Sequence, residues 1–375
     1  MNKKISFLKD IQIGGGPGTN LLYTYKKDIE YLVDADFVNA LKKLQGPNIK
    51  EVEDINWVNT IHISKAKKIL ISRSGGMGDI LFISVYLKSI KEINPDCEIS
   101  FWTMPQNHGI LALFPEIDYI LIKELTYNEV LQYDYIVHFA GFIETNPKAE
   151  IINAYDIGKD FFDGIEKSPL ESRVKWTVPK YNSNIKIHIG LAFSASSQIR
   201  SIAPFLFFDF LRQLDPKKFR ITCFVMQAQL KDFQDFKSHI KTYNPQLELY
   251  SLVTPDIAEL IRTSLIKDPI HVGIGADSGL INLWGFHKVP VIGLFGPFDS
   301  KLRLLYYDLA IGLDPITTCP FGKNENGNCF AHNIGACQLA ELKQEVHSPC
   351  IHLITSAHLL TALNLILDKA KEKYP

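Results

Sequence analysis

The chain alternates between short apolar runs and longer segments in which apolar residues recur every three or four positions, and this pattern is regular from residue 68 onward. Residues 69–72 form an apolar run of the length expected for a buried parallel strand. In residues 80–90 the apolar side chains follow helical spacing, and Asn94-Pro95 ends the predicted helix. Further strands are predicted at 99–103, 119–122 and 135–139, which favours a doubly wound parallel sheet.

The same alternation restarts after Pro179. It predicts strands at 185–193, 219–226, 247–252, 270–273 and 289–295, with helices at 205–214, 232–240, 257–265 and 356–371. Thr254 and Pro255 are expected to be the N-cap and the first-turn proline of the third of these helices. Two successive α/β domains are therefore predicted, with ligands bound in the cleft where the carboxyl ends of their strands face each other.

The first 65 residues follow a different pattern. Short β-prone runs surround a glycine-rich turn at 14–18, and a helix is expected near 36–44. This segment carries no catalytic pattern, so a docking or oligomerisation element is its expected role. We predict three parts: a strand-rich appendage at 1–65, a Rossmann-like domain at 66–180, and a second Rossmann-like domain at 181–375 that ends in a helix.

Composition excludes several classes of function. The 375 residues include 40 basic and 41 acidic side chains, and the formal net charge of -1 argues against nucleic acid as a partner. No run approaches the roughly 18 apolar residues that a spanning helix needs, and the N-terminus lacks the pattern of a signal peptide. We expect a cytoplasmic protein, with peripheral contact to the inner membrane and oligomer formation both open.

A glycine-rich turn, RSGGMGD at residues 73–79, follows the first strand of the α/β region. Gly76 and Gly78 let the backbone approach a ligand closely, and the N–H groups of the next helix favour an anion. The spacing differs from that of the dinucleotide-binding fingerprint. Asp79 is either the N-cap of this helix or a general base that takes a proton from an acceptor hydroxyl.

Similar turns follow three strands of the second domain. Asp277 and Ser278, with Gly279 next to them, are expected at a helix N-terminus, where backbone amides and a hydroxyl can hold a diphosphate. Gly296-Pro297 closes the last predicted strand at the same edge. The loop after the first strand of this domain carries Ser194, Ser196, Ser197 and Arg200. Such groups suit phosphate oxygens, and a solvated loop explains them equally well.

Two of these turns resemble the signatures of a known family. The motif at 73–79 resembles the opening signature of the ADP-heptose–lipopolysaccharide heptosyltransferases, glycosyltransferase family 9, and residues 277–282 with 289–297 resemble its second signature. The resemblance covers residues 67–367. It implies a GT-B fold, in which two Rossmann-like domains face each other, the first for the acceptor and the second for the donor.

The resemblance also implies a reaction. The donor would be a nucleotide sugar, ADP-heptose in this family, and the acceptor a lipopolysaccharide core sugar. Transfer would invert the anomeric carbon and need no cofactor. Asp79 matches the proposed base of the family, which would act as the domains close. The matches to the donor-diphosphate region are Asp277, Ser278, Gly279, Gly296 and Pro297.

Two positions match the family less closely. Arg200 falls near the basic residue that faces the phosphates in the family. Where the family usually has histidine, this chain has Asn282, which we group with the donor-binding residues. Asparagine can donate a hydrogen bond but cannot carry a positive charge.

Four of the six cysteines lie in one late stretch of the chain: Cys319, Cys329, Cys337 and Cys350. With His332 nearby they offer enough soft ligands for one tetrahedral structural site for zinc or iron. A subgroup of related enzymes that heptosylates autotransporter proteins has a four-cysteine metal finger, which this segment loosely resembles. Reduced thiols without a metal are the alternative.

Three alternatives stay open beside transfer to lipopolysaccharide. Transfer to a Ser or Thr hydroxyl of a polypeptide uses the same chemistry, with the appendage as a docking module. A non-catalytic sugar-nucleotide-binding protein is favoured by Asn282 and opposed by Asp79 and Gly296. A sugar-nucleotide epimerase of the same fold needs further charged groups in the cleft, and the sequence identifies none.

Overall fold

The computed structural model describes the chain apart from Met1, Pro375, the single positions 74, 255 and 297, and residues 15–21, 35–37, 39–40, 44–47, 56–58, 140–147, 149–150, 182–184, 193–197, 316–318 and 320–336. The chain forms two compact units, here called unit 1 (Met1–Asn146 with Tyr155–Pro169) and unit 2 (Pro147–Ala154 with Leu170–Pro375). The finer division predicted at residues 65 and 180 stays a prediction. Of the helices in the described ranges, none is both long and apolar enough to cross a bilayer.

The N-terminal part of unit 1 is rich in strands, as predicted. The strands are β1 (Asn2–Phe7), β2 (Ile11–Gly14), β3 (Leu22–Tyr25), β4 (Tyr31–Asp34) and β5 (Ile49–Ile55). In an antiparallel sheet β1 lies between β4 and β5, and β2 pairs with β3. Since side chains alternate along a strand, Ile5 and Phe7 share one face with Tyr31 and Val33 and form a small core.

The rest of unit 1 contains a parallel sheet. Its elements are β6 (Lys68–Arg73), α1 (Met77–Ile93), β7 (Glu98–Thr103), α2 (His108–Leu111), β8 (Tyr119–Leu121), α3 (Tyr127–Val130) and β9 (Tyr135–His138), and α4 (Ala154–Ile157) follows in the sequence. The strand order is β8-β7-β6-β9, and neighbouring strands are parallel. The order reverses between β6 and β9, which is where an open parallel sheet forms a crevice for a ligand.

Strand β4 joins the N-terminal sheet to the parallel sheet. Its Leu32 points away from the small core, because successive side chains of a strand face opposite sides. Leu32 packs instead in a second cluster that includes Leu70 and Trp102. The N–H of Tyr127 also donates to the carbonyl of Glu30 at 2.9 Å. The N-terminal strands are therefore a packed part of unit 1.

Unit 2 contains a larger parallel sheet. Its elements are β10 (Ile187–Ala192), α5 (Pro204–Arg212), β11 (Phe219–Phe224), α6 (Leu230–Tyr243), β12 (Glu248–Leu252), α7 (Ile257–Arg262), β13 (Val272–Ala276), α8 (Gly279–Phe286), β14 (Val291–Leu294), α9 (Ser300–Leu304), β15 (Ala310–Leu313), α10 (Gln338–Lys343) and α11 (Ser356–Lys373). The strand order β12-β11-β10-β13-β14-β15 is that of a doubly wound Rossmann sheet, and it reverses between β10 and β13. The predicted fold class is confirmed.

One local prediction in unit 2 is wrong. Thr254 is not the N-cap of α7, since Asp256 occupies that position and its Oδ1 accepts the N–H of Ala258 at 2.9 Å. The hydroxyl of Thr254, two residues earlier, accepts the N–H of Asp256 at 3.1 Å and so supports the cap. Pro255 lies outside the described residues.

His188, His271 and His287 of unit 2 are almost fully buried, and the first two lie next to each other. The main-chain N–H of His188 donates to the ring Nδ1 of His271 at 2.9 Å. His188 also lies 3.6 Å from the carboxylate of Asp268, which is paired with Arg220. Burial lowers the pKa of both His188 and His271 from 6.5 to about 4. Both are therefore neutral in the folded protein well above that pH.

We expect the free energy of unfolding to fall as the pH drops from about 6.5 toward 4. In this range the unfolded chain binds protons that His188 and His271 exclude in the folded state, so each histidine contributes up to about 1.4 kcal/mol per pH unit. Urea unfolding between pH 4.5 and 7.5 measures the slope. His271→Gln should reduce the slope and His239→Gln, at an exposed position, should not. An unchanged slope in His271→Gln contradicts the prediction.

The packing of β4 predicts that the N-terminal strands stabilise unit 1. Leu32→Ala leaves a cavity between the two sheets and should lower the free energy of unfolding by about 2–4 kcal/mol. The control, Leu8→Ala, changes a leucine that is 52% exposed and should alter stability by less than about 0.5 kcal/mol. Equal effects of the two substitutions in urea unfolding would mean that β4 does not hold the sheets together.

Candidate functional site

In unit 1 the glycine-rich turn leads from β6 into α1. Gly76 is the N-cap of α1, and Asp79 is its third residue. The Oδ2 atom of Asp79 accepts the N–H of Gly76 at 3.0 Å. Asp79 is therefore not the N-cap itself, but it does cap the helix, because its carboxylate bonds back to the N-cap residue from within the first turn. Gly78 is buried in that turn.

The carboxylate of Asp79 is also held by Arg73, at the end of β6. Nε and Nη2 of Arg73 donate to Oδ2 at 3.2 and 2.8 Å, and Nη1 donates to the carbonyl of Phe139 at 2.6 Å. The Arg73 side chain is 4% exposed and that of Asp79 is 15% exposed. The two bonds from Arg73 to Asp79 and the bond from the N–H of Gly76 all end on Oδ2 of Asp79. Within the described residues Oδ1 accepts no hydrogen bond. Arg73 thus fixes the carboxylate and leaves Oδ1 for another partner.

Two glycines of this turn, Gly75 and Gly76, have different surroundings. A Cβ on Gly75 would overlap Nε of Arg73 and Oδ2 of Asp79, so the ion pair itself requires glycine. A Cβ on Gly76 would meet nothing within 4 Å, which leaves open space beside the helix N-terminus. Asn107 is buried and lies shortly after β7 in the sequence. Its Nδ2 donates to the carbonyl of Gly75 at 2.9 Å and so holds the turn.

In unit 2 the turn between β13 and α8 carries the second candidate cluster. Ser278 is the N-cap of α8, and Gly279 is the first residue of the helix. The Oγ atom of Ser278 is buried, and within the described residues it has no hydrogen-bond partner. A Cβ on Gly273 would overlap the ring of Trp284, so this glycine lets α8 lie directly on β13. The helix N-terminus therefore presents an unused hydroxyl among its free N–H groups.

Two arginines lie at the start of α8. Nη1 of Arg200 donates to the main-chain carbonyl of Asp277 at 3.3 Å. Arg303, from α9, is 5% exposed, and its Nε lies 3.9 Å from Oδ2 of Asp277. The guanidinium of Arg303 also lies 3.8 Å from the ring centroid of Phe298. A buried carboxylate and two cations thus surround the N-cap of α8.

Sequence reasoning missed Arg303. No pattern in the sequence marks its burial, because Ser300 and Arg303 are polar; only the structure shows that residues 300, 303, 304 and 307 are all buried. A charged side chain on the apolar face of a helix is rarely buried without a partner. Here the partner is the carboxylate of Asp277.

Asn282 lies one turn into α8 and is 5% exposed. Its Nδ2 donates to the carbonyl of Ser278 at 3.0 Å, and its Oδ1 accepts the hydroxyl of Tyr307 at 2.7 Å. A Cβ on Gly285 would overlap the ring of Tyr307, so glycine makes room for this contact. Both polar atoms of Asn282 bond protein groups, and its contribution here is to hold Ser278 in place.

The remaining predicted residues of this edge are only partly described. Gly296 follows β14, and a Cβ on it would lie 2.9 Å from Ile351, so close packing requires glycine there. Pro297, Ser194, Ser196 and Ser197 lie outside the described residues. The structure therefore brings together Arg200, Asp277, Ser278, Gly279 and Asn282 in unit 2, and Gly76, Gly78 and Asp79 in unit 1.

No protein-family model matches the sequence, and no curated protein matches it by sequence. Solved structures do match. Heptosyltransferase II of E. coli, an ADP-heptose lipopolysaccharide heptosyltransferase, superimposes with a TM-score of 0.55 at 12% identity, over 80% of this chain and 99% of the other. A family 9 glycosyltransferase of Veillonella parvula gives 0.53 at 11% identity, over 83% and 100% of the two chains. The iron-containing TibC of enterotoxigenic E. coli gives 0.57 at 11% identity, over 97% and 90%.

The fold is that of the family 9 glycosyltransferases. The GT-B, heptosyltransferase-like architecture expected from the two signatures is thereby confirmed. In that fold both candidate turns lie at the carboxyl ends of parallel strands, at the points where the strand order reverses.

The late cysteines are the least completely described part of the predicted site. Cys337 is buried, whereas Cys319 and Cys350 are partly buried. Cys329 and His332 lie outside the described residues. Among the side chains that the structure does describe, no group of three or more His, Cys, Asp or Glu residues could hold a metal ion. A structural zinc or iron site at these cysteines stays a prediction.

A small hollow in unit 1 is not a second substrate site. It lies where β4 covers the parallel sheet, and Ser72, Trp102, Glu124 and His138 contribute polar groups to its wall. Its volume of about 20 Å³ is the room that one water molecule needs.

Proposed function

We propose that the chain is an inverting glycosyltransferase that transfers a sugar from a nucleotide-activated donor, with ADP-heptose as the donor and a lipopolysaccharide core sugar as the acceptor. The observation that carries this proposal is the buried hydroxyl of Ser278 at the N-cap of α8, which has no hydrogen-bond partner in the part of the chain that the structure describes. Leaving such a group unsatisfied costs about 1–3 kcal/mol, and a ligand oxygen at the helix N-terminus removes that cost.

The charges around Ser278 favour a diphosphate as this ligand. The N-terminus of a helix attracts anions through its free N–H groups and its dipole. Arg200 and Arg303 place two cations next to Asp277 and the N-cap of α8. Cations at this position would stabilise the charge of a leaving diphosphate. Arginine suits this role because its fork of N–H groups matches phosphate oxygens.

The geometry of Asp79 supports its role as the general base. Its Oδ2 is occupied by Arg73 and by the N–H of Gly76, which leaves Oδ1 to accept the proton of an acceptor hydroxyl. The acceptor oxygen then bonds to the anomeric carbon as the bond from that carbon to the diphosphate breaks. The nucleoside diphosphate leaves with the electron pair, and the α8 N-terminus stabilises its charge. Attack opposite to the leaving group inverts the anomeric carbon.

The neighbours in the structure comparison favour an ADP-linked heptose. TibC has been solved with ADP-D-beta-D-heptose, at a TM-score of 0.58 to this chain, and the heptosyltransferase WaaC of E. coli with ADP, at 0.50. TibC is also iron-containing and dodecameric. Its example supports two further proposals for this chain, a structural metal at the late cysteines and an oligomeric assembly. A lipopolysaccharide acceptor would add peripheral contact with the inner membrane.

A second acceptor, a Ser or Thr hydroxyl of a polypeptide, is favoured by one observation. The match to TibC extends over 97% of this chain, whereas the match to heptosyltransferase II covers 80%. The subgroup that heptosylates proteins carries a four-cysteine segment, and this chain has four cysteines between residues 319 and 350. Transfer of labelled sugar separates the two acceptors, because the label enters either a lipid-linked core sugar or a polypeptide.

The nucleotide site is tested by calorimetry of the purified protein against ADP, UDP, GDP and CMP. We expect a preference for ADP, and Ser278→Ala should weaken its binding at least about tenfold, since a hydrogen bond to a charged group contributes roughly 1.5–3 kcal/mol. Ser251→Ala, at an exposed position of β12, is the matched control. A preference for UDP or GDP would keep the glycosyltransferase and discard heptose. If no nucleotide bound, the enzyme proposal would be abandoned.

The base is tested by Asp79→Asn, which keeps the shape of the side chain and removes its ability to take a proton. We expect turnover, with the nucleotide sugar whose nucleotide binds most tightly, to fall about 100- to 10,000-fold, while binding of the nucleotide changes little. Asp134→Asn is the control, because the carboxylate of Asp134 also accepts main-chain N–H groups in unit 1, at 2.8 and 2.9 Å. Near-normal turnover in Asp79→Asn would exclude this residue as the base.

A further inference from the structure

The segment that contains the last two of the late cysteines packs against the turn that carries Arg200. We call residues 337–354 the bracing segment. Ile199, 2% exposed, forms a small apolar cluster with Cys337 and Ala340 of this segment. Ile351, 1% exposed, lies against Gly296, whose position also faces the carbonyl of Ile199. The bracing segment therefore contacts two of the turns that we assign to the donor site.

A hydrogen bond also joins the bracing segment to the turn that carries Arg200. The hydroxyl of Ser348, which is 1% exposed, donates to the carbonyl of Ile199 at 3.0 Å. That carbonyl and the N–H of Arg200 belong to one planar peptide group. The hydrogen bond from Ser348 consequently sets the orientation of the backbone at Arg200, whose guanidinium donates to the carbonyl of Asp277.

We infer that Ser348 is a positioning residue for the donor site, which acts by holding Arg200 against the N-terminus of α8. This inference rests on the proposed function for its link to the nucleotide, although the positioning of Arg200 itself is a property of unit 2. Within the described residues, the hydroxyl of Ser348 bonds the carbonyl of Ile199 and no side chain of the proposed ligand site. Its loss should weaken nucleotide binding and raise KM, with a much smaller effect on kcat, because the base is a different residue.

The first test needs no ligand and uses trypsin, which cleaves after arginine. Cleavage between Arg200 and Ser201 requires local opening of this turn. Ser348→Ala should speed that cleavage about fivefold, the factor that corresponds to one hydrogen bond of about 1 kcal/mol. Ser348→Thr retains the hydroxyl and should restore the slow rate.

Ser264→Ala is the matched control. Ser264 is also 1% exposed, and its hydroxyl donates to the carbonyl of Leu260 at 2.9 Å, before β13 and thus at the opposite end of the same sheet. The Ser264 hydroxyl also accepts a hydrogen bond from Nε1 of Trp284, in α8, at 3.4 Å, so this control removes at least as much buried hydrogen bonding while leaving the Arg200 turn in place. Equal acceleration of cleavage by Ser348→Ala and Ser264→Ala would overturn the inference, since it would indicate a general loss of stability.

The second test is a double-mutant cycle on ADP binding. Ser348→Ala should raise Kd about fivefold in the wild-type background and leave it unchanged in the Arg200→Met background, because two residues that act through one contact are not additive. An equal loss in both backgrounds would show that Ser348 does not act through Arg200. If the wild-type protein bound no nucleotide, the proposed function would fail, and the cleavage rates alone would decide whether Ser348 positions Arg200.

Discussion

The reversal of strand order between β10 and β13 is the constraint on which the candidate donor site depends. Because all strands of this sheet are parallel, the loops after β10 and β13 leave it at the same edge. One loop carries Arg200, and the other carries Asp277 and Ser278 at the start of α8. Gly273 of β13 lets the helix lie directly on the strand, so its N-terminus is held at that edge. The polar residues lie close together because the topology brings both loops to the same edge of the sheet.

Both candidate turns contain a carboxylate beside a buried arginine, and the two carboxylates are placed for different work. Asp79 receives Arg73 on Oδ2 at hydrogen-bond distance and keeps Oδ1 unused within the described residues. Asp277 lies 3.9 Å from Arg303 at a helix N-terminus, where it balances charge. A carboxylate with one accepting oxygen suits proton transfer. A carboxylate among cations and helix N–H groups instead sets the electrostatic potential at the place where we propose that a leaving phosphate binds.

The fold could be predicted from the sequence, whereas much of the site could not. Buried parallel strands are short apolar runs, and such runs have a simple signal along the chain. Strand β15 was missed because it is half-buried at the sheet edge, where that signal is weak. The Arg73–Asp79 pair and the place of Arg303 beside Asp277 depend on side chains from separate turns or elements. Local pattern fixes which residues stand at strand ends, and only tertiary structure decides which of them touch.

The departure at Asn282 is compatible with the charges that the structure places around α8. The resemblance places histidine there, and this chain has Arg303 in the buried region beside Asp277. A neutral asparagine adds no further buried charge, which would be costly without a partner. It uses both polar atoms, on the carbonyl of Ser278 and the hydroxyl of Tyr307. We propose that Arg303 supplies the positive charge that histidine could supply, while Asn282 holds the N-cap serine. On this argument the substitution is compatible with a working donor site and does not favour a protein that has lost catalysis.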